Sequence, residues 1–284
     1  MLQQKSIKMD NSKVWYITGA SKGIGRSLVQ QLLAKGHKVA ATSRDVNAFL
    51  AITSDRLLPL EVDLVDEKSI AKSFEKTKNT FGQIDIIVNN AGYGIGGAIE
   101  ELSEQEINDN FNANFFAVVK VIQEGLSYLR PQRSGHIINI SSIAGFAPGS
   151  GWSIYSAAKY AVTGLSEALA NELKPLGVNI TAVLPGWFRT NFAKPSSIAF
   201  SKKQIGDYDF LRHAHQKMSE IDGKQLGNPD KVANALIELV HSKNPPTLLF
   251  LGSDARERAV DKIAQLSQQI EQWKNTSSST DFTV

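Results

Sequence analysis

The feature that most restricts how this chain folds is a regular alternation. Short, nearly continuous apolar runs rich in β-branched residues take turns with longer stretches of helical period. Expected strands lie at Val14–Thr18, Lys38–Ser43, Leu57–Val62, Ile84–Asn89, His136–Ile140, Asn179–Leu184 and Thr247–Leu251. Helical period marks Ile24–Lys35, Glu67–Phe81, Ala113–Leu129, Ile154–Leu173 and Lys231–His241. Gly36 stops the first of these, and Asn228-Pro229 puts a proline in the first turn of the last. A run such as Ile84-Asp-Ile-Ile-Val88 is apolar on both faces, as an interior strand must be. Strands that alternate with helices pair in parallel, because each crossover lays a helix on the sheet. The pattern predicts a single-domain, doubly wound α/β fold: one parallel sheet of about seven strands with helices on both faces.

The 284 residues, 42% of them hydrophobic, are enough to bury one substantial core. Residues 1–12 read as a loose lead-in, with Met9 as an alternative start, and residues 274–284 as a polar, flexible tail. Between them, 13–273 reads as the domain. Within it, the stretch from about 188 to 227 shows no clear strand and is too long for a plain connection, so it reads as a lid with short helices. Asp254–Trp273 reads as an added amphipathic helix that either covers the pocket or blocks an interface.

Charge and composition remove several classes. Thirty-one basic residues against 28 acidic give a net charge of +3, with no block of five or six like charges, so no nucleic-acid partner is expected. The N-terminus lacks the apolar core of a signal peptide, and no run of ~18 apolar residues marks a membrane span. Cysteine is absent, which excludes disulfides and thiolate metal sites and fits a cytoplasmic location. His213-Ala-His215 lacks further ligands nearby, so no metal site is expected. Glu100 and Glu101 read as solvated loop carboxylates.

Chemistry concentrates at the strand ends. The first turn, Thr18-Gly-Ala-Ser-Lys-Gly-Ile-Gly25, carries Gly19, Gly23 and Gly25 between a strand and a helix. Such a turn lets backbone, with Ser21 and Ile24, approach a pyrophosphate at the positive end of the helix. Gly19-Ala-Ser-Lys-Gly23 also matches the nucleophile elbow of serine hydrolases, with Ser21 as nucleophile, but too few residues precede it for the strands that such enzymes require. At the end of the second strand stands Ser43-Arg44, not an acid, and Lys22 adds a second cation. Cations there suit the 2′-phosphate of NADP(H) better than the free ribose of NAD(H).

Tyr155 and Lys159 sit four apart on a helix and share one face. Acting near neutrality requires stabilising the tyrosine phenolate by roughly 4 kcal/mol, and a close ammonium supplies a term of that order. Ser141 and Ser142 follow a buried strand, from whose carboxyl end a serine can bond a substrate oxygen.

With Asn89-Asn-Ala-Gly92 and Pro185-Gly186, these segments in this order resemble the short-chain dehydrogenase/reductase family over most of the chain. The resemblance implies a Rossmann-like domain that interconverts a carbonyl and an alcohol by hydride transfer, with Tyr155 as general acid or base. It implies that Asp63 and Leu64 meet the adenine, that Asn90, Ala91 and Gly92 line the ribose, and that Pro185, Gly186 and Thr190 orient the nicotinamide. Tyr155 and Lys159 would also touch the cofactor. The family's spacing of thirteen positions to the tyrosine selects Ser142 over Ser141. Asn110, Asn112 and Asn114 are equal candidates from the residues themselves; the family match selects Asn114, whose counterpart bends its helix and links the lysine to solvent. It further implies a homodimer or homotetramer through the helices at Ala113–Leu129 and Ile154–Leu173. Tyr93, Phe146, Trp152, Trp187, Phe188 and Phe192 would shape an apolar substrate pocket, while Arg189 and Lys194 keep an acidic substrate open. A cofactor-binding regulator without turnover is the remaining alternative.

Overall fold

The computed structural model describes residues 12–282 except 191, 193, 195, 196 and 221; the lead-in expected at 1–12 lies almost wholly outside them. Seven strands form one parallel sheet: β1 (Val14–Ile17), β2 (Lys38–Ser43), β3 (Leu57–Glu61), β4 (Ile86–Asn89), β6 (Gly135–Ile140), β7 (Val178–Pro185) and β9 (Leu248–Leu251), in the order β3-β2-β1-β4-β6-β7-β9. All seven expected strands are present. The order reverses between β1 and β4, which opens a crevice at their carboxyl ends.

Two cores flank the sheet. On one face α1 (Gly23–Ala34) and α7 (Pro229–His241) bury Leu28, Leu32, Val232 and Leu236 against Trp15, Ile17 and Val88. On the other, α2 (Glu67–Phe81), α4 (Ala117–Gln132) and α5 (Ser153–Leu173) cover Tyr16, Ile87 and Ile137. Phe74 of α2 stacks on Tyr16 at 4.0 Å between ring centroids and on Tyr128 of α4 at 5.7 Å, so it joins the sheet to two helices.

Several elements escaped the sequence pattern. A second, two-stranded parallel sheet pairs β5 (Gly94–Gly96) with β8 (Ile198–Phe200), both too short for a visible period. Helix α3 (Glu104–Phe111) has a Ser103–Glu106 capping box and runs into α4 through a π-helical turn, Asn112–Phe116. Within the 188–227 stretch lies α6 (Asp209–Glu220), and the ends of that stretch meet where Phe188 bridges Gly227. Helix α8 (Ser253–Gln272) follows β9, and α9 (Lys274–Ser278) gives part of the expected tail helical form. Among the described residues no helix is long and apolar enough to cross a membrane.

Phe74→Ala should cost about 3–5 kcal/mol, because it removes a fully buried ring shared by three elements. Urea titration of the variant checks this; a loss below about 1 kcal/mol would contradict the packing described.

Candidate active site

The crevice holds a cleft of about 1400 Å³. All but two of the predicted site residues line it; Gly25 and Asn114 stand one layer behind its wall. Gly25 is buried where a Cβ would come within 2.5 Å of Asn90 Nδ2, so its role is to let α1 pack against the Asn90 loop. Gly19 and Gly23 have φ of 61° and 57°, the left-handed region that glycine tolerates. At Gly19 a Cβ would also sit 2.7 Å from Ala91 Cα. No side chain caps α1, so its first-turn N–H groups are available to an anion.

Thr18 ties this turn to the next one. Its hydroxyl accepts from the N–H groups of Asn90 (3.0 Å) and Ala91 (3.1 Å), and the Asn90 amide donates to the carbonyls of Thr18 and Gly19. Lys22 and Arg44 face each other closely enough that Arg44, after burial, helps to lower the Lys22 pKa. Lys22 Nζ also donates to Ser197 Oγ at 2.7 Å. Asp45, the nearest acid, is spent as a cap, accepting from Asn47 N at 2.9 Å. Exposed Asp63 accepts from Val65 N. A phosphate between two mutually repelling cations, above an uncapped helix, fits this end of the cleft.

Tyr155, Lys159 and Ser142 meet at the other end. Burial pushes the Tyr155 phenol up to about 12, against the opposing pull of its hydrogen bond with Ser142. Ser142 Oγ also accepts from Ala144 N at 3.1 Å. The Lys159 ammonium lies 5.9 Å from the Tyr155 ring centroid and donates to the Ile140 carbonyl at 2.9 Å. Desolvation therefore outweighs the lysine in the expected lowering of the tyrosine pKa, and the phenol keeps its proton at neutral pH. Ser141, the neighbour of Ser142, instead points inward to the Lys159 carbonyl and the Thr163 hydroxyl. Asn114 sits in the π-helical turn with its amide donating to the Tyr93 and Asn110 carbonyls and its Oδ1 accepting from Tyr93 N. A Cβ on Gly92 would fall 2.5 Å from Asn114 Oδ1 and 3.4 Å from Lys159 Nζ, which brings that asparagine to the lysine side of the cleft.

Other expectations need correcting. Phe146 does not line the cleft; it packs on Phe250 beneath α8. Arg189 is exposed and its Nε donates to the Gln225 carbonyl, while Lys194 is exposed outside the cleft wall. Glu101 is not a solvated loop carboxylate. It is 2% exposed and accepts from Ile205 N, Ala98 N and Arg212, bonds that hold its carboxyl down at about 2. This clamp fastens α6 to the body, and its partner lies 111 residues away, beyond any local signal. His215 of α6 is buried between Trp152 and Phe200. Asp254, at the start of α8, accepts from Trp187 N at 2.8 Å and so holds the Pro185–Trp187 loop.

The model of the short chain dehydrogenase family matches residues 13–199, well over half of the sequence. The chain belongs to the short-chain dehydrogenase family. Relatives extend the match beyond that segment. A short-chain dehydrogenase from Streptomyces avermitilis is 32% identical, covers 95% of this chain and all of its own, and superposes with a TM-score of 0.89. A 3-ketodihydrosphingosine reductase of Bacteroides thetaiotaomicron is 39% identical over 81% of this chain and 84% of its own length. ElxO, solved with NADP bound, is 26% identical over 84% of this chain and 96% of its own, with a TM-score of 0.70. As a short-chain dehydrogenase the protein is an NAD(P)-dependent oxidoreductase, which sets aside the serine-hydrolase reading of Ser21.

The buried lysine leaves a signature in stability. Burial lowers the Lys159 pKa from 10.5 to about 8. Between these values the native state binds fewer protons than the unfolded chain, so stability rises with pH as the buried charge is shed. Lys159→Met should therefore be more stable than wild type at pH 7, by on the order of 2 kcal/mol, and lose that advantage towards pH 10. Paired urea titrations at the two pH values decide it; an equal gap at both would refute the assignment.

Proposed function

We propose that the protein is an NADP(H)-dependent carbonyl reductase or alcohol dehydrogenase in which Tyr155, Ser142, Lys159 and Asn114 form the catalytic group. The observation that carries this is the shared cleft: one end has an uncapped helix with Lys22 and Arg44 for a phosphorylated dinucleotide, the other a protonated, buried phenol. The NADP-bound state of ElxO supports the same cofactor.

NADPH, held by the turn before α1 with Lys22 and Arg44, would supply the hydride that the carbonyl carbon takes up. Tyr155 gives its proton to the carbonyl oxygen, which its high pKa makes possible throughout the neutral range. Ser142, held beside the Tyr155 phenol by their hydrogen bond and accepting from Ala144 N, donates a hydrogen bond from its hydroxyl to the same oxygen once the substrate enters. Lys159 stabilises the phenolate that remains, and Asn114 and Asn110 both donate to the Tyr93 carbonyl and fix the loop after β4. The reverse sequence oxidises a secondary alcohol. The Pro185–Thr190 segment orients the nicotinamide, with Asp254 fixing that loop.

The substrate reading is an apolar ketone or aldehyde. Trp152 and Phe192 stand 6.2 and 5.9 Å from the Tyr155 ring and wall the reacting centre. Residues 188–227 serve as its lid, fastened by the Glu101–Arg212 pair. Exposed Phe116 and Tyr160, on the π-helical turn before α4 and on α5, support pairing of two copies. A cysteine-free composition supports a cytoplasmic location.

Tyr155→Phe should lower carbonyl reduction roughly 10³-fold while NADPH binding, followed by nicotinamide fluorescence, stays within about twofold. Retained turnover would sink the role of Tyr155, and equal inactivity of wild type towards every carbonyl would favour a binding regulator. Arg44→Ala should weaken NADPH about tenfold and leave NADH unchanged. Loss of both cofactors alike would remove Arg44 from 2′-phosphate recognition.

A further inference from the structure

Beyond Tyr155 the cleft is walled by apolar groups, among them Ile143, Ala144, Trp152, Phe192 and Ile198. Besides Lys22, Arg44 and Lys159, two further cations line the cleft: Lys217 of α6 and Arg258 of α8. They take the place of Arg189 and Lys194, which the fold turns away. Arg258 is half-buried and gives one N–H to the Ala147 carbonyl, in the loop that follows Ser142. Among the described residues no carboxylate pairs with Arg258 or Lys217. Asp109, which also lines the cleft, is bonded to Gln105 and lies beside Tyr93.

Arg258 is also rigidly placed. Asp254, one turn earlier on the same face, is bonded to Trp187 N. Ala255 and Ala259 are buried against Ile143 and Ala147. A guanidinium carries five N–H donors in a fixed fork that matches carboxylate or phosphate oxygens. Asp254 is engaged by Trp187 N and forms no ion pair with Arg258 among the described residues, so a cation partly out of water in an apolar wall calls for an anion from the ligand.

We propose that Arg258, assisted by Lys217, binds an anionic group at the end of the substrate remote from its carbonyl, so that the preferred substrate is an apolar carbonyl compound with a distal carboxylate or phosphate. This rests on the cleft being that of a carbonyl reductase. The C-terminal helix α8 then acts as the specificity wall of the site.

Quenching of tryptophan fluorescence, with Trp152 and Trp187 in the cleft, reads binding without turnover. In the NADPH-loaded protein, decanoate or decyl phosphate should bind at least about tenfold more tightly than decanamide. The tighter of the two anions names the headgroup. Arg258→Gln should bring the anion and the amide to within about twofold, and Arg258→Lys should restore part of the gap. Lys217→Gln, at an exposed position with no ion pair or hydrogen bond among the described residues, should narrow it two- to threefold. Equal binding of all three ligands by wild type, or an anion preference that survives Arg258→Gln, would overturn the proposal. Turnover of 9-oxodecanoate against 9-oxodecanamide with NADPH should show the same preference, carried by KM. Selective anion binding with neither ketone reduced would leave the anion site standing and bring down the reductase reading instead.

Discussion

The hydroxyl of Thr18 holds together the two loops on which the rest of the site depends. It stands at the end of β1, where the strand order reverses, and accepts from two backbone N–H groups of the Asn90 loop after β4. The Asn90 amide returns the tie to the carbonyls of Thr18 and Gly19. With no Cβ at Gly19 or Gly25, the two loops close to contact distance, and the crevice between β1 and β4 acquires a fixed floor. The end of α1 and the approach to Lys159 are both positioned from that floor.

Burial then sets the chemistry. Tyr155 and Lys159 are each less than a tenth exposed, and desolvation moves both towards their neutral forms: the phenol up to about 12, the amine down to about 8. A phenol poised to give a proton is what reduction of a carbonyl requires.

The walls of the substrate end come from elsewhere. Glu101 holds α6 through Arg212, and Asp254 holds the loop after β7 from the start of α8. Both are carboxylates that accept from backbone N–H groups, and both attach late segments of the chain to a frame built by early ones. The frame lies within residues 13–199, which the family match covers, whereas α6 and α8 lie beyond them.

The seven strands were legible in the amino-acid sequence because each interior strand is apolar on both faces, a pattern that survives without knowledge of its neighbours. Gly19, Gly23, Tyr155 and Lys159 were legible for a similar reason: each stands in a short, regular spacing set by one turn or one helix face, whereas Ser142 and Asn114 were separated from their neighbours only by resemblance to the family. Glu101, Arg258 and Asp254 were not legible, since their partners lie 111, 111 and 67 residues away and a lone charge in sequence reads as solvated. The sequence by itself determined the sheet and the glycine turn ahead of α1, both products of local pattern. Only the tertiary structure decided that Phe146 leaves the pocket, that Arg189 turns outward and that Arg258 turns in, because long-range packing, not local propensity, chooses which side chains face a cavity.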